Sequence, residues 1–379
     1  MAKTGFETDG LTRTSSGELK ALACWSHLMM FRTLALWSIL CFIGSQTDST
    51  PPPRSRWVVM SVNDNYQYSF LMPLTALLWE RMGYQSLFLV MASQEVFPPD
   101  LSLACSIAEE VGARIIPLQP NGEFGSAWYQ TARLFGAAVD SLGDDLRNDS
   151  YLITSDVDMW PINASWFQAP FDDPNKPVHW FGWPYAMICY LGATVSEWRK
   201  IMHLDQNGNI EDQMARALDS TIGRTADSEQ QWTADQVLLE KRLMEFELNS
   251  DWERVQFIKR NASMHMPPFD RLDRAYDADW HQGTSLTGYI DAHVPLNDSL
   301  PAWVDTDGYQ WWRWQRLLLV KLLLSTDELD WVDEYFEAFD ALEHRRLKQS
   351  RPKGRSDERA RGTCSTNSAT RECIESQEH

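Results

Sequence analysis

Two aspartates, Asp156 and Asp158, follow a short apolar run at residues 151–153. That run favours a buried strand, because aromatic and β-branched side chains pack well on a pleated surface. Strand side chains repeat every two residues, so we expect the two carboxylates to lie on one face. A divalent cation with oxygen ligands would offset the repulsion between them. A solvated turn before Pro161 is the alternative, because aspartate is a common turn former.

Apolar strands alternate with helical patterns ahead of the two aspartates. Strands are predicted at 56–62, 86–91, 114–118 and from 151, and helices at 69–82, 100–111 and 124–142. Such alternation indicates βαβ units and a parallel sheet. The acidic pair then falls at the C-terminal end of the fourth strand, where ligands bind in open α/β sheets.

Further elements are predicted beyond the acidic pair. Strands are expected at 178–183 and 185–193, helices at 196–203 and 233–243 with Thr233 as a possible N-cap, and one or two amphipathic helices at 311–346. The polar residues 204–228 are expected to form a loop or mobile insertion, and the tail from 347 to be disordered.

The N-terminal 50 residues form a polar, partly basic stretch and then an apolar segment. The apolar residues 33–44 are fewer than the roughly 20 that span a bilayer, and the longer window from Ala21 contains His27 and Arg32. A signal-anchor helix and a cleavable signal peptide both fit, and a buried soluble helix is the alternative. Either of the first two places the rest in the secretory pathway. Four glycosylation sequons agree with that setting: Asn148, Asn163, Asn261 and Asn297.

The composition limits the classes of partner that the protein is expected to bind. The net charge of -19 argues against a surface that binds nucleic acid. Among the 18 tryptophans most are expected in the core, although rings on a cleft wall would stack on sugars. Trp180, Trp183 and Tyr185 are candidates for such a wall. The six cysteines contain no C-x-x-C pair, which argues against a zinc cluster, while a Cys105–Cys189 disulfide stays possible.

Together these features resemble the glycosyltransferases of the GT-A fold that are type II Golgi membrane proteins. The likeness rests on a Pro-rich stem after an apolar segment, a βαβ half, and Ser155-Asp156-Val157-Asp158 closing a strand. Asp235-Gln236, which opens a helix, also resembles the acceptor side of such enzymes. The implied fold is α/β and Rossmann-like, with a mostly parallel central sheet, flanking helices, an N-terminal signal-anchor helix and C-terminal helices. The predicted divisions are 1–50 for tail and anchor, 51–346 for the catalytic domain and 347–379 for a polar tail.

The resemblance implies an enzyme of the hexosyltransferase type. Its substrates would be a nucleotide-sugar donor, preferably a UDP-sugar, and a glycan, glycolipid or glycoprotein acceptor. It would be a Golgi membrane protein with a lumenal catalytic domain, or a secreted one after signal cleavage. The alternative is a carbohydrate-binding or nucleotide-sugar-binding protein without turnover. A nucleotidyltransferase also pairs carboxylates around a metal, and a P-loop NTPase is disfavoured because no Gly-rich phosphate loop is present.

The resemblance further implies that Mn²⁺, or Mg²⁺, is held by Asp158 directly, with Asp156 contacting ribose or metal-bound water. A late histidine would be a third ligand, either His293 or His281, and His293 is preferred because an apolar segment precedes it. For each histidine a structural role is the alternative.

The nucleotide base and the acceptor have candidate residues of their own. Asn63, Asp64 and Tyr66 would receive the base, although an ordinary Asn- and Asp-rich turn explains them equally. Asp235 would deprotonate the acceptor hydroxyl if the reaction inverts the anomeric centre. A first-turn acid that favours the helix dipole is its alternative.

Overall fold

A computed structural model describes residues 55–92, 96–168, 175–183, 188–205, 208–248, 255–259, 271–272, 289–294, 320 and 323–350. All of them belong to one compact unit, Arg54–His379. The predicted signal segment, Tyr185, His281, two of the sequons and the end of the tail lie outside these residues. Within the described ranges, no helix has both the length and the apolarity that a bilayer crossing requires.

The described residues form two sheets. Their strands are β1 (Arg56–Val62), β2 (Gln85–Met91), β3 (Arg114–Leu118), β4 (Tyr151–Thr154), β5 (Met159–Pro161), β6 (Val178–Trp183), β7 (Leu191–Thr194), β8 (Val255–Lys259), β9 (Arg271–Leu272) and β10 (Asp291–His293). The larger sheet has seven strands in the order β3-β2-β1-β4-β7-β6-β8, and in it only β7 runs antiparallel to its neighbours. The smaller sheet has the order β5-β10-β9. The predicted α/β class with a mostly parallel central sheet is confirmed.

Helices cover the large sheet and join its strands. They are α1 (Tyr66–Ser69), α2 (Met72–Arg81), α3 (Pro99–Glu110), α4 (Ser126–Thr131), α5 (Ala164–Gln168), α6 (Val195–Met202), α7 (Ile210–Thr221), α8 (Ser228–Trp232), α9 (Ala234–Leu248) and α10 (Thr326–Ser350). Three 3-10 segments add to them at Ala132–Ala138, Asp140–Asp145 and Ile188–Tyr190. α2 stops at Gly83, whose φ of 80° suits a residue without Cβ.

The 3-10 segment Ala132–Ala138 lies directly against the central strand β1. A Cβ at Gly136 would be 2.7 Å from Cγ2 of Val59, so only glycine permits this approach. Phe135 and Leu134 from the same segment are buried in the core that covers this face of the sheet. The close contact holds the segment that carries Arg133 against the sheet.

Some predicted elements differ from the structure. The helix expected at 124–142 is α4 followed by two 3-10 segments, and the one at 69–82 is divided between α1 and α2. The strand expected at 185–193 is a 3-10 turn at Ile188–Tyr190 followed by β7 in the described part. At the C-terminus α10 continues to Ser350, four residues into the segment expected to be disordered.

The loop predicted at 204–228 is wrong, because it contains the helix α7. The Asn209 side chain accepts a hydrogen bond from the Asp212 N–H and caps the first turn. Met214 and Leu218 are completely buried on one side of the helix. The clustered acids that suggested a loop lie in the first turn, where the helix dipole favours them.

Thr233 ends α8 and also occupies the expected N-cap position of α9, because its carbonyl accepts the Val237 N–H at 3.0 Å. Its N–H donates to the Glu229 carbonyl at 3.2 Å, and α9 begins at Ala234. The two helices are therefore consecutive, and Asp235 lies in the first turn of α9, as expected.

Candidate active site

A cleft of about 420 Å³ opens at the carboxyl ends of β1 and β4. Its walls come from the ends of these strands, from α4 and the 3-10 segment after it, from the junction of α8 and α9, and from β10. The lining residues are Ser61, Val62, Asn63, Tyr68, Ser126, Tyr129, Gln130, Arg133, Asp156, Val157, Asp158, Cys189, Trp232, Asp235, Gln236 and His293. This position is the one that the sequence predicts for a ligand site.

Helix α2 holds the turn that carries the two aspartates through the side chain of Thr75. The Thr75 hydroxyl donates to the Val157 carbonyl at 2.6 Å and accepts from the indole N–H of Trp160 at 2.9 Å. Both hydrogen bonds are buried. One α2 side chain therefore holds the backbone between Asp156 and Asp158 and the strand that follows.

Strand pairing brings His293 to Asp158. β10 runs antiparallel to β5 with His293 opposite Met159, and the Val294 N–H donates to the Asp158 carbonyl at 2.7 Å. His293 Nε2 lies 3.2 Å from Asp158 Oδ2, and Asp158 is only 6 % exposed. The histidine preferred from the sequence thus contacts the predicted metal-binding aspartate across 135 positions of the chain.

Arg133 lies between Asp156 and Asp235. One guanidinium nitrogen contacts Asp156 Oδ1, and Nη2 donates to Asp235 Oδ2 at 2.7 Å. Arg133 and Asp235 are 6 % and 3 % exposed. Asp235 Oδ1 also accepts the Gln236 N–H at 2.8 Å. The guanidinium therefore compensates two carboxylates, and both oxygens of Asp235 are engaged.

The two aspartates of the turn have different partners. Asp156 contacts Arg133, whereas Asp158 contacts His293. β4 ends at Thr154, so the two aspartates lie in the turn after the strand and the expected strand alternation does not extend to them. Both nevertheless line the cleft.

The residues predicted for the nucleotide base are only partly in the cleft. Asn63 lines it, but its Oδ1 also accepts the Asn65 N–H at 3.2 Å, as in the ordinary turn considered from the sequence. Tyr66 begins α1 and does not line the cleft, whereas Tyr68 does. Asp64 lies near Tyr129; burial and then the charge of Asp64 raise the pKa of that phenol.

Sequence reasoning missed several residues of the cleft, chiefly Arg133, Tyr129 and Trp232. For Arg133 a signal existed, because it is a lone charge within an otherwise apolar segment at residues 132–139. Trp180 and Trp183, expected to face the acceptor, belong to β6.

The two cysteines of the body are not joined. Cys105 is buried in α3 and Cys189 lies in the cleft wall, and both are free thiols. Burial, and then the charge of Glu109, raise the pKa of the Cys105 thiol to about 12, which makes it unreactive.

The donor set is suited to a cation that takes its other ligands from a phosphate. Asp158 and His293 offer one carboxylate oxygen and one imidazole nitrogen at a common point. Among the described residues, no group of three or more His, Cys, Asp or Glu side chains is placed to hold a metal alone. Cations bound with nucleotides commonly use one or two carboxylates and complete their shell with phosphate oxygens and water.

No protein-family model and no curated protein matches the chain. Among solved structures it is similar to the galactosyltransferase LgtC in complex with donor and acceptor sugar analogs, with 12% identity over 53% of this chain and 72% of that one and a TM-score of 0.31. An active-site mutant of LgtC gives 12% identity over 67% and 94%, with a TM-score of 0.36. The glycosyltransferase GlyE of Streptococcus pneumoniae TIGR4 gives 13% identity over 54% and 46%, with a TM-score of 0.31. At these values the likenesses carry no argument about the chemistry of the cleft.

Proposed function

We propose that this protein is a metal-dependent glycosyltransferase of the hexosyltransferase type. It moves a sugar from a nucleotide-sugar, in the first place a UDP-sugar, to a glycan, glycolipid or glycoprotein acceptor. The observation that carries the proposal is the meeting of Asp158 and His293 in a cleft at the carboxyl ends of the strands. Beside them lies a guanidinium held by two carboxylates.

The charge of the cleft favours a cation-dependent substrate. Its described lining contains the carboxylates of Asp156, Asp158 and Asp235 and the single guanidinium of Arg133. With His293 neutral, the negative charges exceed the positive ones by two. A diphosphate entering such a site would be repelled unless a cation accompanied it. This balance supports a nucleotide diphosphate bound together with a metal.

Asp158 and His293 are the residues that would hold Mn²⁺ or Mg²⁺. When bound, such an ion stabilises as a Lewis acid the negative charge that develops on the departing diphosphate. Neutral His293 has a lone pair for the metal on Nε2 only when the proton is on Nδ1. Asp156, tied to Arg133, remains the candidate contact for ribose or for metal-bound water.

Arg133 holds the polar groups around the transferred sugar in place. A guanidinium presents planar, always charged donors, and two carboxylates fix its orientation. Asp235 is the candidate base for an inverting reaction. Its two oxygens contact Arg133 and the Gln236 N–H, so accepting a proton would weaken one of these hydrogen bonds. These contacts also make Asp235 a positioning residue for Arg133.

The cellular setting we propose is the Golgi membrane, with a single N-terminal anchor and a lumenal catalytic domain, or secretion after cleavage. Of the two described sequons, Asn148 is exposed, and its Oδ1 accepts a hydrogen bond from Arg199 at 2.7 Å. The Asn163 Oδ1 caps α5 by accepting the Ser165 N–H at 3.1 Å. Asn148 is therefore the better glycosylation candidate.

A thermal-shift screen with UDP, GDP and CMP, each with and without Mn²⁺, tests the proposed function. A ligand that binds only the folded state raises Tm. At a ligand concentration a hundred times its Kd, the free energy of unfolding increases by about 2.7 kcal/mol. We expect a rise with one nucleotide, UDP first, that needs Mn²⁺. Equal shifts with and without the metal would refute the metal assignment, and no shift with any nucleotide would refute the donor class.

A further inference from the structure

Trp232 is the one large aromatic side chain in the described part of the chain that is mostly exposed. Its exposed fraction is 62 %, and it lines the cleft. Five other tryptophans are almost completely buried, namely Trp57, Trp79, Trp128, Trp160 and Trp198. Packing in the core, the usual fate of an indole ring, therefore does not explain its place.

The ring lies at the mouth of the cleft, close to its buried polar groups. Trp232 is the last residue of α8, and Asp235 follows three positions later in the first turn of α9. Asp235 is buried against Arg133, whereas Gln236 next to it is exposed. The apolar ring of Trp232 thus lies near two hydrogen-bonding side chains, of which Asp235 is buried and Gln236 is exposed.

The backbone that carries Trp232 is firmly held although the ring itself is exposed. Asp227 and Gln230 form a reciprocal capping box at the start of α8. The Gln231 side chain donates to the Ala226 carbonyl at 3.1 Å and packs on Gly125, where a Cβ would lie 2.3 Å from its Oε1. α8 therefore holds the backbone of Trp232 in place, so binding a ligand has to order only the side chain.

From this arrangement we infer that Trp232 is the platform on which a pyranose ring of the acceptor stacks. A pyranose has faces of C–H groups and an edge of hydroxyls, so it matches an indole face beside carboxylate and amide groups. The inference rests on the proposed function and adds the chemical class of the acceptor: a sugar ring with one apolar face free. A nucleoside base is the other flat ligand, and it is expected at the end of β1, near Asn63.

Radical footprinting of the full chain reads this contact directly. Trypsin releases residues 225–241 as one peptide in which Trp232 is the only aromatic residue and no Met or Cys occurs. Its oxidation rate is measured with methyl glycopyranosides of glucose, galactose, mannose and xylose at high concentration, and separately with UDP and Mn²⁺. Trp331, which stacks on Tyr335 in α10 outside the cleft, is the internal control.

We expect at least one pyranoside to slow the oxidation of Trp232 severalfold, with Trp331 unchanged. Equal oxidation of Trp232 with every pyranoside would overturn the inference. Protection by UDP and Mn²⁺ but by no sugar would assign the ring to the nucleotide instead. If the proposed function itself fails, the nucleotide shows no metal-dependent thermal shift, which is a separate readout.

Substitutions of Trp232 distinguish stacking on its ring from simple filling of space by its side chain. Saturation-transfer NMR measures the affinity of each variant for the pyranoside that protects best. Trp232→Ala should lower this affinity about tenfold, or about 1.4 kcal/mol, and Trp232→Phe should lower it less. Met244→Ala is the matched control, because Met244 is an exposed apolar side chain of α9 outside the cleft lining. Undiminished binding by Trp232→Ala, or an equal loss in Met244→Ala, would contradict the stacking role.

Discussion

At the scale of single residues, Arg133 determines how the acids of the cleft are arranged. Its guanidinium contacts Asp156, which is partly exposed, and Asp235, which is buried. An ion pair in a buried place costs most when one partner alone is removed, because the other charge stays without compensation. The consequences for stability therefore differ between the three residues.

Arg133→Met should destabilise the fold by about 3–5 kcal/mol, because it leaves Asp235 buried without its cation. Asp235→Asn should cost less, since the amide oxygen still accepts from Arg133 and the guanidinium retains Asp156. Urea unfolding at pH 7 measures both variants. The double variant Arg133→Met with Asp235→Asn should recover part of the loss, and strictly additive losses would contradict the coupling.

The types of these residues and the approach of His293 to Asp158 were expected from the sequence, but the shared partner of Asp156 and Asp235, Arg133, was not. Asp156, Asp158, Asp235 and His293 were all named from the sequence, because carboxylates and late histidines follow recognisable segments. That Asp156 binds an arginine depends on where β4 ends. No local pattern marks that end, since the residues 151–154 and the turn after them are equally compatible with a longer strand.

At the scale of elements, α2 holds the turn between β4 and β5 through one hydroxyl. Thr75 both donates to Val157 and accepts from Trp160. Removal of the hydroxyl leaves a buried carbonyl and a buried indole N–H without these partners.

Thr75→Val should therefore cost about 2–4 kcal/mol, from two buried groups at about 1–3 kcal/mol each with partial relaxation. Thr131→Val is the matched control, because the Thr131 hydroxyl is buried without a hydrogen-bond partner. That change should be neutral or stabilising. Chemical denaturation compares the two, and equal losses would show that Thr75 acts by shape alone.

The second element prediction concerns the support of α8. Gly125 has φ of 51°, and a Cβ there would collide with Gln231. Gly143 has nearly the same backbone, with φ of 50°, but nothing lies within 4 Å of the Cβ position. Gly125→Ala should thus lower Tm more than Gly143→Ala and should also change the oxidation of Trp232. Equal effects of the two variants would mean that only backbone strain counts.

Helix α7 shows why some elements escaped prediction. Its apolar residues are spaced as on one helix face, but acids and an Asn-Gly-Asn sequence mark a turn just before them. The turn signal is correct for the described residues 208–209 and wrong for the twelve residues that follow. Burial of Met214 and Leu218 against the rest of the core decides the outcome, and that is a tertiary effect.

At the scale of the whole molecule, the C-terminal helix α10 returns to the start of the fold. The Tyr335 hydroxyl donates to the Phe70 carbonyl at 2.9 Å, and the Phe70 ring packs against Tyr335, Phe336 and Phe339. Arg81 at the end of α2 contacts Glu328. Sequence predicted helices in this region, but a contact across 265 positions is beyond any local pattern.

Glu328 makes this docking depend on pH. Partial burial raises its pKa, but hydrogen bonds from Ser325 and the contact with Arg81 outweigh burial, so the pKa lies below its ordinary value. A lowered pKa in the folded state means stability that is present above the unfolded pKa and lost as pH falls through the folded one. Glu328→Gln should thus lower stability at pH 7, by about 1 kcal/mol or less. The difference from wild type should disappear below the lowered pKa, and a difference that persists there would contradict the role of its charge.

The central claim is that Asp158 and His293 bind a metal together with a nucleotide diphosphate. Titration calorimetry of UDP with and without Mn²⁺ tests it on the wild type, on Asp158→Asn and on His293→Gln, with the exposed Asp205→Asn as control. We expect Mn²⁺ to increase the UDP affinity of the wild type and of the control. In each site variant this increase in affinity should be at least about tenfold smaller. If both site variants bind UDP with the same metal dependence as the wild type, the Asp158–His293 contact is an ordinary hydrogen bond and the account is wrong.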